Sequence, residues 1–349
     1  MRPHALLPQR LLPGALAGLC AATAVALLTL HGLTWRVDAW IYDRLLAATP
    51  QPVDDRIVLV VVDDASLAAL GRWPWSRGVH ADLVRHLDAA GVRGIAFDVM
   101  FSEPSRDDVA GDAAMANAMR ASGKVVLPVM AEPSQPDGTL IEVLPMTSLI
   151  DASAALGHVD IDIDPDGVAR SNYLFAGLGS AHWPSLALAL RNQHADTRRT
   201  ASLPGLRQRD SAGSPSPYLW SRDHHVLVPY ANRVGFQTVS CIDVLRGEVP
   251  DALLRDRWIL VGVTASGNAR DVLVPGRGRE QPVPGLEYHA NVLNALLLDR
   301  MIVPLTRAQQ LLPGIVLVLV PLLVYRPRHP WRTAWMAAVT AALLTLAAS

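Results

Sequence analysis

Uncharged apolar residues gather at the two ends of this chain. One run lies between Arg10 and Arg36, a second covers 308–325, and a third covers 333–349. A membrane-crossing helix needs about 20 mainly apolar residues. Residues 11–35 meet that requirement without a charge, with Pro13 near the start. The pattern therefore predicts transmembrane helices over 11–35, 308–325 and 333–349, the second kinked by Pro313 and Pro321. The first run is too long for the apolar part of a signal peptide, and no small-x-small cleavage site follows it. Leu19 directly before Cys20 argues against a lipoprotein site. Arg2 and Arg10 precede the first run, and Arg326, Arg328 and Arg332 fill the loop 326–332. The positive-inside rule places 1–10 and 326–332 in the cytoplasm and 36–307 outside it. The third run is still apolar at Ser349, which reads as a chain cut from a longer protein.

Between these ends the pattern changes to that of a globular α/β domain. Residues 56–62 (RIVLVVV) form a continuous β-branched run ending at Asp63 and Asp64, the signature of a strand buried on both faces. Apolar runs at 94–99, 124–129 and 258–263 read the same way. Helical patterns are predicted over 80–90, closed by Gly91, and over 108–121, closed by Ser122 and Gly123. Further helices are expected over 184–192 and over 285–298, where Pro284 stands at the start. Strand, helix, strand, helix, strand implies a mostly parallel sheet with flanking helices. Loops rich in Pro, Gly and Ser at 132–138 and 211–217 predict an inserted second lobe between about 130 and 255.

Charge and cysteine content narrow the classes. Formal net charge is -1 over 349 residues, so nothing recommends a nucleic-acid partner. Cys20 falls in the first apolar run and Cys241 in the globular part, so no disulfide scaffold is built within that part.

The candidate chemistry lies at strand ends and in one loop. In open α/β sheets, ligands bind beyond the carboxyl ends of the strands. Asp63, Asp64 and Asp98 stand there, with Glu103 in the next loop. The competing reading makes Asp64 or Ser66 a helix cap and Asp63 a loop anchor. The loop 71–77 (GRWPWSR) brings Trp73, Trp75 and Arg77 close in sequence, as a pocket wall or as a cover for the core. Residues 160–167 (DIDIDPDG) open like a calcium loop from Asp162, but Tyr173 stands where the bidentate glutamate belongs. A tight Asp166-Gly167 turn between strands fits better. Glu287, His289 and Asn291 recur every second residue on a predicted helix, so they do not share a face and make a poor metal site. No phosphate loop, zinc motif or nucleophile elbow occurs, and neither a cofactor nor a metal is expected.

The order of several segments resembles the CHASE sensory domain of the second type. The resembling stretches are 42–44 (YDR), 57–70 (IVLVVVDDASLAAL), 71–77 (GRWPWSR), 90–91 with 96–98 (AG, AFD) and 101–104 (FSEP). They continue with 157–170 (GHVDIDIDPDGVAR), 184–187 (PSLA), 259–265 (ILVGVTA) and 284–296 (PGLEYHANVLNAL). The resemblance implies an extracytoplasmic input domain of a bacterial receptor, with one helix before it and three after. A cytoplasmic nucleotide cyclase, histidine kinase or Ser/Thr kinase would follow, outside this chain. It also implies a homodimer in the plasma membrane and leaves the ligand, small molecule or protein, undefined.

Three functions follow as expectations. The leading one is a membrane-anchored sensory module. Its ligand candidates are Asp63, Asp64, Trp73, Trp75, Arg77, Asp98 and Glu103. Its coupling residues are Gly285, Glu287, His289 and Asn291, with 299–307 leading into the bilayer. The alternatives are a periplasmic metal-dependent hydrolase using Asp63, Asp64 and Asp98, and a structural dimerisation or docking domain.

Overall fold

The computed structural model describes residues 12–49, 51–106, 108–135, 138–193, 203–207, 216–231, 235–265, 272–276 and 282–324. The expected cytoplasmic segments 1–10 and 326–332 and the expected third helix 333–349 lie outside the described residues. The chain divides into two compact units, residues 1–48 with 305–349, and residues 49–304.

The first unit begins with α1 (Leu12–Leu30) and α2 (Trp35–Ala48). The sequence predicted one helix through Trp35, but α1 stops at Leu30. Gly32 takes φ 69°, a conformation that suits glycine. Around it Leu33 N donates to Leu28 O (2.9 Å) and Gly32 N to Thr29 O (3.1 Å). That pair of bonds satisfies the last carbonyls of α1 in a Schellman stop. The chain restarts as α2 at an angle of 79° to α1.

The second unit opens with β1 (Ile57–Val62), α3 (Asp64–Leu70), α4 (Arg77–Ala89), β2 (Gly94–Phe97), α5 (Val109–Ser122) and β3 (Val125–Pro133). β4 (Leu140–Val143), α6 (Thr147–Ile150), β5 (Ala155–His158), β6 (Val168–Ala169), β7 (Ser171–Leu178), β8 (Trp183–Pro184) and α7 (Leu186–Asn192) follow. Then come β9 (Trp220–Leu227), β10 (Gln237–Ser240), α8 (Cys241–Leu245), α9 (Asp251–Leu254) and β11 (Trp258–Val263). The unit ends with β12 (Val272–Pro275), β13 (Val283–Pro284) and α10 (Gly285–Leu297). In the first unit, α11 (Arg307–Val324) packs along α1, where Gly314 leaves room for Val25, and Arg307 Nη1 donates to Leu30 O at 3.0 Å. Among the described residues no single helix is long and apolar enough to cross a membrane. The bent pair Gly18–Leu30 and Trp35–Ala48 passes that test together, by length and composition only.

The main sheet runs β10-β1-β11-β2-β3, with β5 pairing the first part of β3 and β4 pairing its last residues. All these strands are parallel except β4. β11 enters between β1 and β2, setting Ile57 beside Trp258 and Trp258 beside Gly94.

Every residue of β1 is buried, because both faces of the sheet are covered. Val58, Val60 and Val62 share one face with Ile95, Phe97, Ile259 and Val261, packed with Leu83, Val84 and Leu87 of α4 and Met115 and Met119 of α5. Ile57, Leu59 and Val61 share the other with Ala96 and Leu260, packed with α7, α10 and the antiparallel sheet β8-β7-β9. The expected inserted lobe is therefore a layer of the same core: Leu174 of β7 and Val226 of β9 belong to the cluster that holds Leu59 and Leu260. Gly157 of β5 permits the close approach of α7. A Cβ there would stand 2.7 Å from Leu186 Cα.

Candidate functional site

The residues singled out from the sequence fall into three groups. Asp63 caps α3: its Oδ1 accepts from Ser66 N (2.9 Å), Ser66 Oγ (2.7 Å) and Ser240 Oγ (2.8 Å). Burial pushes this carboxyl up, but the bonds from Ser66 and Ser240 outweigh it and hold it below its ordinary value. The cap is thus Asp63 itself, and it also ties the end of β10 to the start of α3. Asp64 is exposed in the first turn of that helix.

The second group covers the α4–α5 face. Trp73 and Trp75 meet edge to face at 5.2 Å, and Trp75 Nε1 donates to Gly71 O at 2.9 Å. Both rings border His80, which also contacts Phe97 and Phe101. Burial, then the Arg77 charge, lowers the His80 imidazole to about 4, so it stays neutral. Arg77 stacks over Phe101 at 4.8 Å, approaches Asp112 at 3.7 Å and reaches the backbone carbonyl of Glu103 at 3.4 Å. The Glu103 residue is exposed.

The third group joins the sheet to its last helix. α10 starts at the carboxyl edge, where Leu286 fills the space above Gly262 of β11. It ends at the amino edge, where Asn294 accepts from Asp54 N (2.8 Å) and donates to Pro52 O (2.9 Å). Gly285 is buried in the first turn, near Glu287. Asn291 Oδ1 accepts from Ala231 N at 2.6 Å, and its Nδ2 donates to Glu287 O at 2.7 Å. His289 Nε2 stands 3.9 Å from Asp98 Oδ1, their side chains 3% and 14% exposed. Burial raises Asp98 to about 6. The structure pairs Asp98 with His289. Among the described residues no three His, Cys, Asp or Glu side chains are grouped to hold a metal.

Around this pair lies a polar network that sequence reasoning missed. His158 ends β5, and its Nδ1 accepts from Asp160 N at 3.3 Å. That bond leaves the proton on Nε2, which is buried and feels the Tyr173 carbonyl without meeting hydrogen-bond geometry. Burial lowers His158 to about 4 despite the pull of Asp160, with the neighbouring His289 adding to the fall. Tyr288 OH donates to Ser171 O (2.6 Å) and accepts from Asn172 Nδ2 (2.9 Å). The Asn172 Oδ1 is buried without a hydrogen-bond partner among the described residues. Tyr173 stacks on His225 at 4.8 Å, and His225 Nε2 meets Ser171 Oγ at 2.9 Å. The only sequence signal was position: His158 closes a short apolar strand, as Asp98 does.

The aspartates that invited a calcium reading are taken by arginines. Arg222 grips Asp160 through two nitrogens (2.7 and 2.9 Å) and reaches Asp162 at 3.2 Å. The buried Arg170 holds Asp164 (2.7 Å) and Asp166 (2.9 Å). Gly167, at φ 81°, closes the turn that leads into β6. Paired in this way, the acidic run is held by Arg170, just before β7, and by Arg222 of β9.

The main sheet, parallel but for β4 and covered on both faces, carries buried polar groups at its carboxyl edge, the position where open α/β sheets bind ligands. Residues 20–325 match the family model of the CHASE2 domain, and the chain belongs to that family. CHASE2 domains are sensory extracytoplasmic domains of signalling proteins, not catalysts. No curated protein and no solved structure matches the chain.

Proposed function

We propose that residues 49–304 receive the stimulus for a membrane-anchored receptor, and that α1 and α11 are two of its anchors. The stimulus acts at the carboxyl edge of β2 and β5, and α10 carries the response through 298–306 into α11. The observation that supports this most is the 3.9 Å approach of His289 to Asp98. One group belongs to the sheet and the other to the last helix before the chain leaves the domain. Asn172 Oδ1, buried without a hydrogen-bond partner among the described residues, adds to it, since such an atom favours any bound group that supplies a partner. A ligand switches such a device only by its difference in affinity for two states, on the order of 5 kcal/mol for full reversal. The receptor works as a homodimer, as the family resemblance implies, and its output lies beyond this chain.

The test has two parts. In cells, Tyr218→Cys should react with a membrane-impermeant maleimide added outside, and His329→Cys only after permeabilisation. Equal labelling of both removes the anchored topology. With a histidine kinase catalytic region fused after Arg332, at the end of the loop expected in the cytoplasm, Asp98→Asn and a two-residue deletion within 299–306 should each change kinase output at equal protein level. Unchanged output in both variants counts against the route through α10.

A further inference from the structure

The geometry of α2 points to a contact the sensory reading does not require. We propose that α2 is a membrane-surface helix. Its Trp40, Ile41 and Leu45 face lies at the boundary of acyl chains and headgroups, and Arg36 and Arg44 lie at the lipid phosphates. The inference rests on the proposal that α1 crosses the bilayer.

Its first support is direction. α1 carries no charge from Leu12 to Leu30, and α2 leaves it at 79° after a four-residue break. A helix at nearly a right angle to a membrane-crossing one runs along the surface. The break is built in, by the Schellman stop at Gly32 and by Thr34, whose Oγ1 donates to Asp38 Oδ2 at 2.9 Å as α2 begins.

The second support is chemistry. Large apolar side chains on this segment are left open: Leu33 is 67% exposed, Trp40 48%, Ile41 43% and Leu45 63%. At 100° per residue, Val37, Trp40, Ile41 and Leu45 share one side of the helix, with Arg44 among them. The Arg44 guanidinium stacks over Trp40 at 5.4 Å, and that of Arg36 over Trp35 at 5.3 Å. Tryptophan and arginine together mark the headgroup level, where an amphipathic ring and a cation are both satisfied. Asp43 lies off the apolar side.

The experiment uses the full chain in nanodiscs of phosphatidylethanolamine and phosphatidylglycerol. Cys20→Ser removes the exposed thiol, and the buried Cys241 stays. Single cysteines replace Leu27, Val37, Ile41, Asp43 or Leu45 in turn and carry a nitroxide. Collision with oxygen is compared with collision with a polar nickel chelate. The inference expects Val37, Ile41 and Leu45 to be several-fold more accessible to oxygen than to nickel, at shallow depth, with the ratio reversed at Asp43. Nickel access at Val37, Ile41 and Leu45 equal to that at Asp43, with Leu27 deep in the bilayer, overturns the surface helix alone. Nickel access at Leu27 overturns the anchoring of α1 and the surface helix with it.

Discussion

Asp98→Asn tests whether the carboxyl beside His289 carries the electrostatic cost its burial implies. Moving a carboxyl from 3.8 to about 6 by burial disfavours its ionised form by about 3 kcal/mol, at about 1.4 kcal/mol for each tenfold. The folded value lies above the unfolded one. The proton therefore stabilises the fold fully below 3.8, and that stabilisation is lost as pH rises through about 6. At pH 7.5 the wild type bears nearly the whole cost, and at pH 5 about half of it. An asparagine fills the same space without charge. The variant should exceed the wild type in unfolding free energy by about 3 kcal/mol at pH 7.5 and by roughly half of that at pH 5. Urea unfolding of the full chain in nanodiscs, followed by tryptophan emission at both pH values, gives the two differences. His80 and His158 titrate in wild type and variant alike, so their contribution cancels. A difference of equal size at the two pH values, or a variant less stable than wild type at pH 7.5, refutes the reasoning.

Other substitutions probe the packing that holds this edge. His80 is lowered to about 4, below its unfolded value, so its contribution is present above 6.5 and lost as pH falls through 4. His80→Leu should spare about 2 kcal/mol of the loss between pH 7.5 and pH 5, and an unchanged pH slope would show that the ring is not held neutral. Gly157→Ala places a Cβ 2.7 Å from Leu186 Cα and 2.9 Å from Leu186 N, backbone atoms that cannot swing aside. It should cost about 1–3 kcal/mol, read as a lower urea midpoint, and a midpoint equal to wild type contradicts the close approach of α7. Asn291→Ala strips the acceptor from Ala231 N and should cost about 1–3 kcal/mol, while Asn291→Asp, which keeps an acceptor, should recover part of it. Equal losses in the two variants would mean that the bond to Ala231 contributes nothing.

The sequence by itself determined eight elements of the second unit and left most of its middle unread. The apolar runs of β1, β2, β3 and β11 and the periodic stretches of α4, α5, α7 and α10 were legible, because burial on both faces or on one stripe dictates residue type locally. The family was legible as well, in the order of segments from Tyr42 to Leu296. What only the tertiary structure decided is which elements meet. Any strand buried on both faces reads as the same apolar run, so nothing local announces that β11, nearly two hundred residues after β1, enters between β1 and β2. The expected second lobe became a layer of one core for the same reason: the inward residues of β7 and β9 carry no mark of the surface they cover. The break between α1 and α2 was hidden inside a run of suitable hydropathy, where a single left-handed glycine outweighed the apolar pattern. At the site, Asp98 and His289 were each visible as polar residues in apolar settings, but their meeting was not. A side chain's partner is set by the path of the whole chain, and its charge state by the burial that path creates.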